Sequence, residues 1–188
     1  MIDPYLHPSG VLRNRLGITD PDLLVRAEAD ITHAELIRLA ERPLAGAYDL
    51  GHLQAFHVAI FGAVYPWAGE LRVVEISKRT PFCLSAHLVS FGEEVFGRLA
   101  SAGYLRGLGR AAFADALAEL YGDLNALHPF REGNGRTQRA FCAQLASDAG
   151  YELDWAGMDP AENEYASIKS YLGDNGPLVR MLGALLQA

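Results

Sequence analysis

Cysteine is scarce in this chain: Cys83 and Cys142 are the only two. They lie far apart and match no metal-ligand spacing, which excludes a disulfide framework and a cysteine-based metal site. Lys/Arg-rich runs are absent and the net charge is -7, so direct nucleic-acid binding through a sequence-independent basic surface is excluded. No apolar run reaches the roughly 20 residues that span a bilayer, so no membrane partner is expected. The opening residues, Met1 to Leu6, lack the basic-then-apolar order of a secretory signal. Internal repeats and low-complexity linkers are missing as well. These absences lead to the expectation of a cytoplasmic protein in a reducing compartment.

What remains is ordinary globular material. The 188 residues are 50% hydrophobic and 21% charged, enough for one domain with a sizeable core, expected to span 1–188. Helical periodicity dominates. Asp20 and Pro21 read as the cap and first position of a helix, with Leu24, Ala27, Ile31, Ala34 and Ile37 on one stripe. A second stripe runs through Leu50, Leu53, Phe56, His57, Ile60 and Phe61. A third runs through Phe113, Ala116, Leu117, Leu120, Tyr121 and Leu124, and Phe141 and Leu145 continue a fourth. A last pair is expected over Ala161–Tyr171 and Pro177–Leu186, hinged at Gly173–Gly176. Against this pattern, Glu70 to Ser77 carries strand-type residues and partial alternation, followed by a turn at Lys78–Pro81 and then Phe82–Leu84. A small hairpin over 70–84 is expected, packed on the helices or awaiting a partner strand.

Residues 124–139 read LNALHPFREGNGRTQR. Pro129 disfavours helix at His128, so one helix should stop near Leu127 and another begin near Asn134. Between them Gly133-Asn134-Gly135 permits positive φ and lets backbone N–H groups converge at a helix N-terminus, an anion cradle. Arg136 and Arg139 share one helix face and suit phosphate oxygens. Glu132 beside them is the single carboxylate that, with phosphate oxygens, holds Mg²⁺. His128 reaches the same space, and an ordinary pKa of about 6.5 suits a general base. Phe130 is expected to turn inward as an anchor. Each feature alone has a plainer reading: a capping histidine, a turn, a solvated arginine face, a surface glutamate. Crowded between His128 and Arg139 they point to a phosphate-handling site.

The run HPFREGNGRTQR, residues 128–139, resembles the Fic signature HPFx(D/E)GNGRxxR at every defined position. His57 to Arg72 resembles the segment leading to the Fic flap hairpin, and Val11 to Asp20 resembles the N-terminal stretch of bacterial Fic domains. The resemblance implies a mainly α-helical core, roughly 45–150, with a β-hairpin flap over the active site. It implies a protein adenylyltransferase: a Ser, Thr or Tyr hydroxyl of a target attacks the α-phosphate of ATP and pyrophosphate leaves. His128 would be the base, Glu132 the Mg²⁺ ligand, and the amides around Gly133, Asn134 and Gly135 the phosphate cradle. Arg136 would contact the β-phosphate and Arg139 the γ-phosphate. Tyr165 and Ile168 would line the adenine pocket. The flap, with Ile76, Ser77, Lys78, Arg79 and Thr80, would dock the target backbone by strand addition.

The resemblance also bears on subclass. Doc-like relatives that phosphorylate carry Lys where this chain has Gly135, so AMP transfer is preferred. Self-restrained Fic proteins carry a helix with (S/T)xxxE(G/N). Ser90 and Glu94 have that spacing, but Val95 follows, so no intrinsic brake is identified. A separate small antitoxin bearing such a helix, directed at Arg139, is the implied partner, and the chain then resembles the toxin–antitoxin class. The implied targets are the ATPase subunit of a type II topoisomerase or, second, a small GTPase. The alternatives are a same-fold transferase of another nucleotide or phosphoryl group, and a non-catalytic nucleotide-binding module.

Overall fold

Asp20 accepts the Leu23 N–H at 2.8 Å and Pro21 occupies the first turn, which starts α1 (Pro21–Glu41) where the sequence places it. The computed structural model describes residues 3–187; Met1, Ile2 and Ala188, the extremes of the expected 1–188 domain, lie outside the described residues. Asp49 caps α2 (Leu50–Phe61) in the same way. α3 (Leu88–Ser101), α4 (Arg110–Leu127), α5 (Asn134–Asp148), α6 (Pro160–Tyr171) and α7 (Gly176–Leu185) follow. α4 is central and packs on α3, α5, α6 and α7, while α2 packs on α5 and α1 closes over α2 and α5. Phe113, Leu117, Leu124, Leu127, Phe141 and Leu145 from α4 and α5 are buried in the core. Burying apolar side chains of this kind stabilises by about 1.5–3 kcal/mol each.

Two expectations shift. The α1 stripe drifts: Ile37 is half exposed, Ala34 is exposed, and the inward face runs through Leu24, Glu28, Ile31, Thr32 and Leu36. A polar pair at i and i+4, Glu28 and Thr32, therefore faces α5 where apolar residues were expected. Second, the paired strands lie elsewhere. A two-residue antiparallel pair joins β1 (Glu152–Leu153) to β2 (Leu186–Gln187) and fastens the end of α7 beside α5.

The excursion 70–84 does fold back on itself, but its backbone pairing is one bridge, Ser77 to Pro81, with the Lys78 N–H reaching the Thr80 carbonyl at 3.3 Å. The reason is a side chain. The Arg72 guanidinium lies between the two arms and donates to the carbonyls of Val74, at 2.9 Å, and Cys83. Those carbonyls are thereby withdrawn from a strand ladder. Ser90 and Glu94 sit on α3, where Glu94 pairs with Arg98 at 2.5 Å.

Candidate active site

α4 ends at His128, which adopts φ 42°, ψ 59° and donates its N–H to the Leu124 carbonyl at 3.1 Å. A left-handed cap at a non-glycine residue is sparsely populated and needs support from its surroundings. Arg72 supplies it: its Nε donates to the His128 carbonyl at 2.9 Å and its backbone N–H to the Pro129 carbonyl at 2.9 Å. Arg72 is 1% exposed, and burial lowers its pKa against the opposing pull of Glu75. One buried guanidinium thus ties both arms of the excursion to the backbone of His128. The sequence signal was the one basic residue within the strand-like stretch Glu70 to Ser77.

The loop after His128 is built from inside. Phe130 is fully buried. Asn134 accepts the Phe130 N–H at 2.8 Å and donates to the Phe130 carbonyl at 2.7 Å, so its side chain shapes the loop. Gly133 has φ 82°, and a Cβ there would lie 2.4 Å from the Phe61 ring. His57, sealed in the core, accepts the Gly69 N–H on Nδ1 at 2.8 Å and therefore donates from Nε2 to the Glu132 carbonyl at 3.0 Å. Its ring stacks on Phe130 with centroids 3.9 Å apart. Burial lowers its pKa to about 4, opposed by the bond to Glu132 and helped by the Arg136 charge. His57 is a neutral staple for the loop.

Two cavities meet at His128. One, of 330 Å³, includes Ile76, Ser77, Lys78, Glu132, Asn134 and Gly135 in its lining. The other, of 320 Å³, includes Arg79, Thr80, Asn125, Asn163, Ser167 and Ile168. Lys78, Phe82 and His128 line both. Phe82 lies flat on the His128 ring, centroids 3.7 Å apart and planes 8° apart. His128 Nδ1 is buried without a hydrogen-bond partner, leaving Nε2 for the cavities. Burial, then the Lys78 charge, lowers the His128 pKa to about 3, while the Asn125 carbonyl pulls the other way and Arg72 adds a smaller lowering. The imidazole is neutral at pH 7 and unprotonated at one nitrogen, as a base must be, but its pKa lies well below the ordinary value of about 6.5 expected from the sequence, because burial and the Lys78 charge disfavour the imidazolium.

The first-turn N–H groups of Asn134, Gly135 and Arg136 have no intrahelical acceptor and open the N-terminus of α5. The Gly133 N–H, expected in the cradle, is taken by Glu132 Oε1 at 2.8 Å. Glu132 is 47% exposed. No cluster of three metal-ligating acidic, histidine or cysteine side chains exists among the described residues. A lone hard carboxylate beside a phosphate cradle fits Mg²⁺ arriving with a nucleotide, with phosphate oxygens completing its shell.

The two arginines differ. Arg136 is engaged by α1: Nη2 donates to Glu28 Oε1 at 2.5 Å and Nη1 to Thr32 Oγ1 at 3.0 Å, and the guanidinium lies over the Phe61 ring. Arg139 has no carboxylate partner among the described residues. Both line a 580 Å³ groove between α1 and α5 that also includes Leu36, Leu39, Ala140 and Ala143. Of the expected adenine-pocket pair, Ile168 lines the second cavity. Tyr165 is 54% exposed, with the Lys169 ammonium over its ring, and is not brought there. The sequence placed Phe82 in the far arm of the hairpin without a role at the site, and left out Asn163 and the Glu28–Thr32 pair; only the last left a trace, as polar residues four apart on the inner face of a helix.

Residues 47–146 match the Fic/DOC family, and the match contains the whole of this loop and cradle. The chain belongs to the Fic/DOC family. It is 41% identical over 92% of its length to the protein adenylyltransferase VbhT of Bartonella schoenbuchensis, of which it spans 37%. It is 38% identical over 92% of its length to the probable protein adenylyltransferase Fic of Escherichia coli, of which it spans 86%. The N-terminal Fic domain of a VirB-translocated Bep effector from Bartonella quintana, crystallised with ADP, superposes with a TM-score of 0.90 at 28% identity. That superposition covers 97% of this chain and 94% of the other. The helical Fic fold expected from the sequence is the fold observed.

Proposed function

We propose that this Fic-family chain is a protein adenylyltransferase that moves AMP from ATP onto a Ser, Thr or Tyr hydroxyl of a partner protein. The observation that carries this reading is the neutral His128 at the junction of two cavities, one at a helix N-terminus and one flanked by α6. The first suits phosphates and the second a nucleoside, which sets the α-phosphate near His128 Nε2. The target hydroxyl oxygen forms the new bond to the α-phosphorus as the bond to the β-phosphate oxygen breaks, and pyrophosphate leaves. His128 Nε2 takes the hydroxyl proton, a contribution of about 10²–10⁴ in rate. The amides of Asn134, Gly135 and Arg136 and the Arg139 guanidinium hold the triphosphate in line. Glu132 would hold Mg²⁺, which when bound neutralises phosphate charge.

The tip residues Ile76–Thr80 project beside both cavities and are the proposed target-docking segment, by strand addition. Arg79 pairs with Glu164 of α6 at 3.2 Å and spans the second cavity. The α1–α5 groove is lined by Leu36, Leu39, Ala140 and Ala143 and by Arg139, which has no carboxylate partner among the described residues, and it suits an incoming helix that brings a carboxylate. This supports restraint by a separate antitoxin with an (S/T)xxxE(G/N) helix. Among the described residues no helix is long and apolar enough to cross a membrane. The proposed setting is the bacterial cytoplasm, where ATP and the proposed targets are found. A type II topoisomerase ATPase subunit is the first target to test, and a small GTPase the second.

Incubation of the chain with α-labelled ATP, Mg²⁺ and bacterial lysate is expected to label a discrete protein, with an added AMP mass by mass spectrometry. Equal labelling by His128→Ala, or an added phosphoryl mass, would overturn the reading.

A further inference from the structure

The contact between α1 and α5 is polar where packing needs nothing polar. Arg136 shares its one positive charge between two carboxylates, Glu28 at 2.5 Å and Glu132 at 3.8 Å. Their settings differ. The Glu28 side chain is 12% exposed and that of Glu132 is 47% exposed. Glu28 is itself held, because the Tyr65 hydroxyl donates to its second oxygen. Burial and the neighbouring Glu28 raise the Tyr65 pKa, so the phenol stays protonated and remains a donor. Thr32 Oγ1 accepts from Arg136 and donates to the Glu28 carbonyl at 2.8 Å, which fixes the guanidinium from a second side. Phe61 supports it from below, 4.6 Å from the ring centroid. Every donor and acceptor that fixes Arg136 tightly comes from α1 or from side chains packed on it.

A guanidinium has a fixed fork, and attraction falls with distance and with exposure to water. The short, buried pair with Glu28 therefore dominates the longer, exposed one with Glu132. We propose that Glu28 is a positioning residue of the site: by holding Arg136 on α1 it leaves the Glu132 carboxylate free to receive a divalent cation. Without Glu28, Arg136 turns to Glu132, its next carboxylate, and competes with the metal. This inference rests on the nucleotide-and-Mg²⁺ reading of the site and adds to it a residue 104 positions upstream of that carboxylate.

The test is a binding measurement and needs no turnover. In the full chain carrying His128→Ala, Mn²⁺ as a paramagnetic stand-in for Mg²⁺ is titrated with a non-hydrolysable ATP analogue, and free Mn²⁺ is read by electron paramagnetic resonance. Glu28→Gln is expected to raise the half-saturating Mn²⁺ concentration roughly two- to fivefold, the range of one partly exposed ion pair. Analogue binding in EDTA should be unchanged, since with no metal present the Arg136–Glu132 pair displaces nothing from the site. Glu28→Asp, with a shortened reach, should fall between the two and decides the matter if Glu28→Gln does not fold. An unchanged Mn²⁺ midpoint in the folded variant, or equal weakening with and without metal, would overturn the inference and leave the nucleotide reading standing. Failure of the Glu28-containing protein to take up Mn²⁺ with the analogue would overturn both.

Discussion

Phe82 stacks face to face on His128, centroids 3.7 Å apart and planes only 8° apart. The ring arrives from the far arm of the excursion, so the segment proposed to dock targets also covers one face of the proposed base. Such contacts are worth about 0.5–1.5 kcal/mol. Phe82→Ala is expected to lower the transfer rate up to about tenfold, with a smaller change in the KM for ATP. The His128 pKa should rise toward the ordinary histidine value, read by imidazole NMR. A normal rate with an unmoved pKa would remove Phe82 from the positioning apparatus.

Arg72 presents a different dependence, because its loss leaves the carbonyls of His128, Val74 and Cys83 without their donor. Arg72→Met is expected to destabilise the fold by about 3 kcal/mol, the range for stranded buried acceptors. Chemical denaturation measures it. Proteolysis should also cut within 73–82 faster, since the two arms lose their shared anchor.

The two cradle glycines should separate cleanly. Gly133→Ala meets both a positive φ and the Phe61 ring at 2.4 Å, and is expected to cost about 2–4 kcal/mol. At Gly135 the added Cβ meets only the mobile end of Arg139, at 3.2 Å. Gly135→Ala should leave the denaturation midpoint near that of the unaltered chain and lower activity through Arg139. Equal destabilisation by both substitutions would contradict this division.

Acid should unfold this protein through its buried histidines. His57 and His128 have folded-state pKa values near 4 and 3, below the unfolded value of about 6.5. Their neutral forms therefore contribute stability that is fully present above pH 6.5 and is lost as the pH falls toward 4 and 3. The contribution is on the order of 3 kcal/mol for His57 and about 5 kcal/mol for His128. The thermal midpoint is expected to fall steadily below pH 6.5. His57→Gln should start lower at pH 7 but show a shallower acid slope, by about one proton.

The sequence by itself determined the helices and the local chemistry of the loop, because both are set by short-range rules. Asp20 and Pro21 start α1 through the local geometry of a cap. Pro129 stops α4 at His128, and the twofold glycine pattern around Asn134 opens α5. The residues between His128 and Arg139 were legible for the same reason, since one turn of chain brings them together. Tertiary structure alone decided what each of those groups is bonded to. Arg72, Phe82 and Glu28 reach the loop from 56, 46 and 100 or more positions away, and no local pattern predicts which carbonyl, ring or guanidinium they meet. That is why the hairpin expected over 70–84 is held by a single bridge and by bonds from Arg72, and why Arg136 rests on α1. It is also why the His128 pKa lies below the ordinary value: it follows from burial and from charges that only the folded chain assembles.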